Sequence, residues 1–244
     1  MTSRAVLIPG GARGIGRAVA LRCLREGWSV AVCHRSSPDD ARSLTDEAGD
    51  ARDRLLVERR DVCIAGDREA LVASARARFG RVDALVHAAG PLVRAPLLDA
   101  GIDPWRAAWE SNVAPLISLC SMVVPEMQAR AWGRVVGFGT AGVERLAPHP
   151  SLAAYGAAKA ALVAFMRALA RDVASQGITA NVVSPGVIET GGVEPEVLAR
   201  QLAQVPVGRA GTPDEAAAAV CFLLGDEARY VTGQNVTVSG GRGL

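Results

Sequence analysis

A chain of 244 residues that is 50% hydrophobic and only 4% aromatic has enough material for one large helix-and-sheet core or two small ones. Its 27 basic and 25 acidic residues are spread along the sequence for a formal charge of +2, which excludes a nucleic-acid tract and a charged membrane-binding face. Five scattered cysteines (Cys23, Cys33, Cys63, Cys120, Cys221), with no Cys-x-x-Cys pair and no clustered histidines, exclude a zinc site and a disulfide framework, and read as core thiols of a reducing cytosol.

Residues 4–8 are an aliphatic run that stops at Pro9-Gly10-Gly11-Ala12-Arg13-Gly14-Ile15-Gly16, after which Ile15, Val19 and Cys23 recur at helical spacing. Strand, glycine turn and helix in that order are the setting in which a Gly-x-x-x-Gly-x-Gly pattern binds a dinucleotide. Gly10 allows the tight turn, Gly14 lets the backbone approach a pyrophosphate, Gly16 lets the helix pack on the strand, and the first helical N–H groups face the phosphates. The apolar run before the glycines is too short for a signal peptide.

A second strand over 28–33 ends in His34-Arg35-Ser36-Ser37. An NAD site places a carboxylate here for the ribose hydroxyls, and none precedes Asp39. Arg35, Ser36, Ser37 and Arg13 instead suit a 2′-phosphate, which a guanidinium binds with two parallel hydrogen bonds, so the expected cofactor is NADP(H).

Strands over 55–58 and 82–86, separated by a helical pattern over 67–79, lead into Asp61-Val62 and His87-Ala88-Ala89-Gly90. This alternation predicts right-handed crossovers and a doubly wound Rossmann-type parallel sheet of about seven strands with helices on both faces. His87, between apolar neighbours, reads as a packed and hydrogen-bonded residue rather than a base. A helical stretch over 104–131 holds Asn112 and then Pro115, so a distortion is expected near Asn112. The strand over 134–138 ends near Thr140, the only hydroxyl at that strand end.

Residues 151–167, rich in Ala and Leu, predict a long helix with Tyr155 and Lys159 one turn apart on the same face. An ammonium beside a phenol is expected to lower a pKa that is ordinarily about 10, making Tyr155 a general acid or base. Lys159 and Arg167 also interrupt the best candidate for the roughly 18 uncharged apolar residues that a membrane span needs, so the chain reads as cytoplasmic.

A sixth strand over 178–183 closes with Ser184-Pro185-Gly186-Val187-Ile188-Glu189-Thr190. The polar stretch over about 190–211 reads as a mobile lid, and Thr212-Pro213-Asp214-Glu215 as a capped helix start. A seventh strand is expected over 234–239. With no linker to divide them, residues 1–244 read as a single dinucleotide-binding domain.

These motifs, in this order, resemble the short-chain dehydrogenase/reductase family over essentially the whole chain. Asn181-Val182-Val183 with Pro185-Gly186, Val207-Gly208-Arg209 through Glu215, and Val231-Thr232-Gly233-Gln234 are similar to its 3-oxoacyl-acyl-carrier-protein reductases. The resemblance implies Gly10, Arg13, Gly14, Ile15 and Gly16 at the cofactor turn, His34, Arg35 and Ser36 at the ribose phosphate, and Asp61 and Val62 at the adenine. It implies Ala88, Ala89 and Gly90 beside the nicotinamide ribose, and Pro185, Gly186, Ile188 and Thr190 around the nicotinamide. Asn112, Thr140, Tyr155 and Lys159 become the catalytic residues, Tyr155 and Lys159 also touching the cofactor.

The implied protein is an NADPH-dependent homotetramer, without nucleic-acid or membrane partners, that reduces a carrier-bound 3-oxoacyl thioester. Arg130, Arg134 and Arg171 are candidates for docking the carrier near the pocket mouth. A polyketide ketoreductase or a reductase of free ketones or sugars fits the same motifs. A silent NADP(H)-binding sensor or scaffold subunit is the reading from another class. Three departures from the family pattern stand out: Pro9 for a threonine, His87-Ala88 for an asparagine pair, and Thr140 for the usual serine. The threonine hydroxyl still donates, but its methyl restricts rotation.

Overall fold

The computed structural model describes residues 3–145, 150–191 and 194–243. Seven short apolar runs form the strands β1 (Ala5–Pro9), β2 (Ser29–His34), β3 (Leu55–Arg59), β4 (Ala84–His87), β5 (Gly133–Phe138), β6 (Ile178–Pro185) and β7 (Asn235–Val238). All pair parallel, in the order β3-β2-β1-β4-β5-β6-β7. The central strands are buried along their whole length because a parallel sheet is covered on both faces, and their near-continuous Val, Ile, Leu and Ala reflect that.

The helices are α1 (Gly14–Arg25), α2 (Pro38–Glu47), α3 (Ala65–Phe79), α4 (Asp103–Asn112), α5 (Ala114–Ala129), α6 (Ala153–Val173), α7 (Pro195–Leu202) and α8 (Pro213–Leu224). On one face Leu7, Leu85 and Val135 of the sheet meet Leu116, Leu119 and Leu162 from α5 and α6. On the other, Val6, Ile8 and Val86 meet Val19, Val220 and Leu224 from α1 and α8. Each such fully buried side chain contributes about 1.5–3 kcal/mol. The strand order reverses between β1 and β4, which opens a crevice beyond the carboxyl ends of the strands.

The expected helix over 104–131 is two helices. Val113 (φ −116, ψ −56) separates α4 from α5, because Pro115 offers no N–H to continue the ladder and the Asn112 side chain donates to Ala108 O instead (3.1 Å). The stretches Asp103–Ala129 and Pro150–Gln176 are apolar and long enough to cross a membrane, more so than the charge pattern suggested. Both nevertheless bury Leu116, Leu119 and Val123, or Leu162, Met166 and Val173, in the core against the sheet.

The start of α8 is a full capping box, with Glu215 N donating to Thr212 Oγ1 (3.2 Å) and Thr212 N to Glu215 Oε2 (2.8 Å). The expected lid holds α7, whose Leu198 and Leu202 pack on Val187, Val205 and Ala210. A parallel bridge from Ile188 to Gly211 closes its base.

At the amino ends of the strands, Asp83 is fully buried and accepts from Ala5 N (2.9 Å) and from both Nε and Nη2 of Arg81 (2.6 Å each), with Arg130 Nε at 3.4 Å. Asp83→Ala strands these donors, and an urea-unfolding midpoint should show a loss of about 3 kcal/mol.

Candidate active site

The site is built where β1, β4, β5 and β6 end. Gly10 has φ +81, and a side-chain carbon there would lie 2.7 Å from both Ala88 C and Ala89 N. Only glycine lets the turn after β1 press against the end of β4, where Ala88 N donates to Pro9 O (2.9 Å). Pro9 is therefore tolerated: it ends the strand, and its carbonyl is used although it has no N–H to give. A side-chain carbon on Gly16 would lie 2.6 Å from Gly10 O, so α1 also packs at backbone distance. Gly14 (φ +55) starts α1 with no side-chain cap, which leaves the first N–H groups free for an anion. An uncapped, glycine-lined helix start is what a pyrophosphate needs, and the residues present fit a dinucleotide.

A cleft of about 510 Å³ runs from this turn in both directions. Arg13, Gly14, Ile15 and Gly16 line its middle. At one end stand His34, Arg35, Ser36, Asp61 and Val62. Arg35 Nη1 lies 3.8 Å from Asp61 Oδ2, and the His34 ring accepts at Nδ1 from Ser37 N (3.2 Å), which fixes the loop after β2. Burial, and then the nearby Arg59, lower the His34 pKa. At the other end stand Ala88, Ala89, Gly90, Tyr155, Lys159, Pro185 and Thr190.

Tyr155 and Lys159 project from the first turns of α6, with Lys159 Nζ 5.4 Å from the phenol ring centroid. Lys159 is buried and donates to Phe138 O at the end of β5 (2.9 Å). Burial lowers its pKa from 10.5 to about 8 and pushes the Tyr155 phenol up from 10.0 to about 12. The expectation that the ammonium lowers the phenol's pKa is thus reversed in the ligand-free protein, because removal from water outweighs the attraction at this separation. The phenol holds its proton at neutral pH, as a proton donor must.

Asn112 is fully buried at the end of α4, and its amide donates to Pro91 O (3.3 Å) and Ser111 Oγ (3.0 Å) as well as Ala108 O. A side-chain carbon on Gly90 would lie 2.4 Å from Asn112 Oδ1 and 3.6 Å from Lys159 Nζ, so glycine is what lets these two side chains approach one point. Thr140, half-buried just beyond β5, follows Gly139, whose N–H donates to Val183 O (2.9 Å).

Four expected residues do not line the cleft. Asn112 stands behind Gly90, and Thr140 is one residue past the lining Gly139. A side-chain carbon on Gly186 would lie 2.8 Å from Ser239 Cα, so that glycine serves the packing of β6 on the segment after β7. Ile188 is held in its bridge to Gly211.

The cleft also includes Arg60, Cys63 and Ser111, which the sequence reading missed. Cys63 is exposed, unlike the other four cysteines, and its position two residues past Asp61 was the available signal. His87 is buried as expected but is not hydrogen-bonded: neither ring nitrogen has a partner among the described residues.

The docking arginines are also corrected. Arg134 is 2% exposed, bonded to Gly133 O (2.8 Å) and stacked 4.3 Å over Trp132, and Arg130 is tied to Val82 O (2.6 Å). Both lie at the amino end of the sheet, as does Arg171 near the far end of α6. None stands at the cleft mouth.

A profile described as enoyl-(acyl carrier protein) reductase matches residues 10–242. The 3-oxoacyl-[acyl-carrier-protein] reductase FabG of Salmonella typhimurium is 37% identical, covering 96% of this chain and 95% of that protein. The acetoacetyl-CoA reductase of Shinella zoogloeoides is 34% identical over 98% of each. The crystal structure of a variant actinorhodin polyketide ketoreductase with NADPH superposes with a TM-score of 0.91 at 32% identity, covering 99% of this chain and 97% of that one. With this likeness spanning nearly its whole length, the protein belongs to the short-chain dehydrogenase/reductase family.

Proposed function

We propose that this chain is an NADPH-dependent ketoreductase that converts a 3-oxoacyl thioester to its 3-hydroxyacyl form. The observation that carries this reading is the opening of the uncapped start of α1 and the Tyr155–Lys159 pair on one cleft. NADPH, when bound, supplies the hydride that adds to the carbonyl carbon. As the carbonyl electrons move onto oxygen, Tyr155 gives its proton to the developing alkoxide, and the Thr140 hydroxyl donates a hydrogen bond to the same oxygen. Tyr155, in the cleft wall, is a donor already in place for charge that appears only in the transition state, and this raises the rate. Lys159 then returns a proton to the phenolate, and Asn112 organises the water that resupplies Lys159.

The activities of these relatives support a thioester or polyketide carbonyl as substrate. The position of Arg130, Arg134 and Arg171 at the end of the sheet opposite the cleft speaks against carrier docking through them, and so favours recognition of the acyl thioester itself.

The test is NADPH consumption with acetoacetyl thioesters of a small thiol and of a carrier protein, beside free ketones and sugars. Thioester turnover is expected. Turnover of free ketones alone would replace the substrate class, and NADPH binding without turnover on any carbonyl would favour the silent sensor.

Arg35, with Arg13 and Ser36, is assigned to the 2′-phosphate. Arg35→Asp removes charge-assisted hydrogen bonds and is expected to raise the KM for NADPH about tenfold or more while leaving that for NADH nearly unchanged. Initial rates with the two cofactors check this.

A further inference from the structure

His87 ends β4 with 1% exposure, and neither Nδ1 nor Nε2 has a hydrogen-bond partner among the described residues. Asn112 Oδ1 is buried and without a partner in the same way. The topology places these groups together. His87 is paired with Gly137 of β5, so their side chains face the same way, and a side-chain carbon on Gly137 would meet Leu162 (3.1 Å) and Leu116 (3.4 Å). Asn112 closes α4 just ahead of the break that precedes Leu116 on α5, and Lys159 is one turn before Leu162 on α6. Paired with a glycine rather than a larger residue, the imidazole lies on the sheet face covered by α5 and α6, near enough to Lys159 to feel its charge. Lys159 has one described hydrogen bond, to Phe138 O, for three protons.

Buried polar atoms without partners cost about 1–3 kcal/mol each, and a site with several of them close together is where proteins hold ordered water with about three hydrogen bonds. We propose that His87 is a positioning residue which, through ordered water, joins Asn112 Oδ1 and the Lys159 ammonium in one buried hydrogen-bonded chain. Water accepts from Lys159 and donates to Asn112 Oδ1 and to the unprotonated ring nitrogen of His87, while the other ring nitrogen donates to a second water. Burial and the adjacent Lys159 charge hold the imidazole neutral, with a pKa lowered to about 3, so it keeps both a donor and an acceptor across the working range. Lys159 on α6 is the charged group that acts on it, and the Tyr155 phenol lies beyond.

This inference rests on the ketoreductase reading, and the two fail separately. Wild-type turnover reports on that reading alone. A high-resolution crystal structure of the wild-type protein reports on the chain of water without any turnover: water within hydrogen-bond distance of a His87 ring nitrogen is expected, and a dry contact there overturns the proposal.

In kinetics, His87→Leu should lower kcat about tenfold, short of the 10²–10⁴-fold carried by the acid itself, with KM for NADPH unchanged and a larger solvent deuterium effect. His87→Asn, which keeps a donor and an acceptor, should recover most of the loss. A Leu variant with wild-type kcat overturns the assignment, as does an Asn variant that is equally slow with its water in place. Should the Leu variant not fold, diffraction and the Asn variant decide.

Discussion

Tyr155→Phe should lose about 10²–10⁴-fold in kcat, the usual contribution of a positioned proton donor, while NADPH binds as before. The substitution removes one oxygen from a side chain whose ring already sits in the wall of the cleft, so neither the turn at Gly10 nor the start of α1 is disturbed. Because burial pushes the phenol's pKa up to about 12, the side chain holds its proton at neutral pH, and what the variant loses is a donor rather than a base. Single-turnover absorbance for the chemical step and fluorescence titration for NADPH separate the two. A Phe variant that still reduces the substrate at the parent rate would remove Tyr155 from the mechanism.

Lys159→Met should abolish useful turnover and, in the ligand-free protein, raise the melting temperature. The ammonium is nearly fully buried with one carbonyl for company, and its pKa of about 8 lies below the ordinary 10.5. A cation whose folded pKa is depressed destabilises the fold: the penalty is complete below pH 8 and fades as pH rises from 8 to 10.5. At pH 7 its removal should add about 2–3 kcal/mol after the lost bond to Phe138 O, or several degrees in a chain of this size. Differential scanning at pH 7 and pH 10 checks the sign, since the gain must shrink at the higher pH. A variant less stable than the parent at pH 7 would show that the ammonium stabilises the fold and would overturn this prediction. A catalytic group that costs stability is the expected trade-off at a working site.

The sheet, its strand ends and the capped helix start at Thr212 were legible in the sequence because periodicity and turn chemistry are local, although the return bond from Thr212 N to Glu215 was not foreseen. The tight turn at Gly10 and the close packing at Gly16 were legible for the same reason, each reflecting a backbone approach that a side chain would break. The state of Tyr155 was not. Spacing showed that Lys159 shared its face of α6, but the sign of the pKa change depends on how much water the folded chain removes from around the phenol, and that is a tertiary quantity. The arginines misled for a related reason. Arg130 and Arg134 look solvated in the sequence, and only the strand direction shows that they lie at the end of the sheet opposite the cleft. His87 shows the limit again: its apolar neighbours predicted packing correctly, but whether a ring nitrogen finds a partner depends on residues far away in the chain.

The direction of the strands has a practical outcome. Asp83, Arg81, Arg130 and Arg134 secure the base of the sheet, whereas the proposed hydride and proton transfers occur at its opposite rim. Engineers could therefore tune heat tolerance by redesigning that base and screen substrate scope at the rim as two libraries with little cross-talk between them.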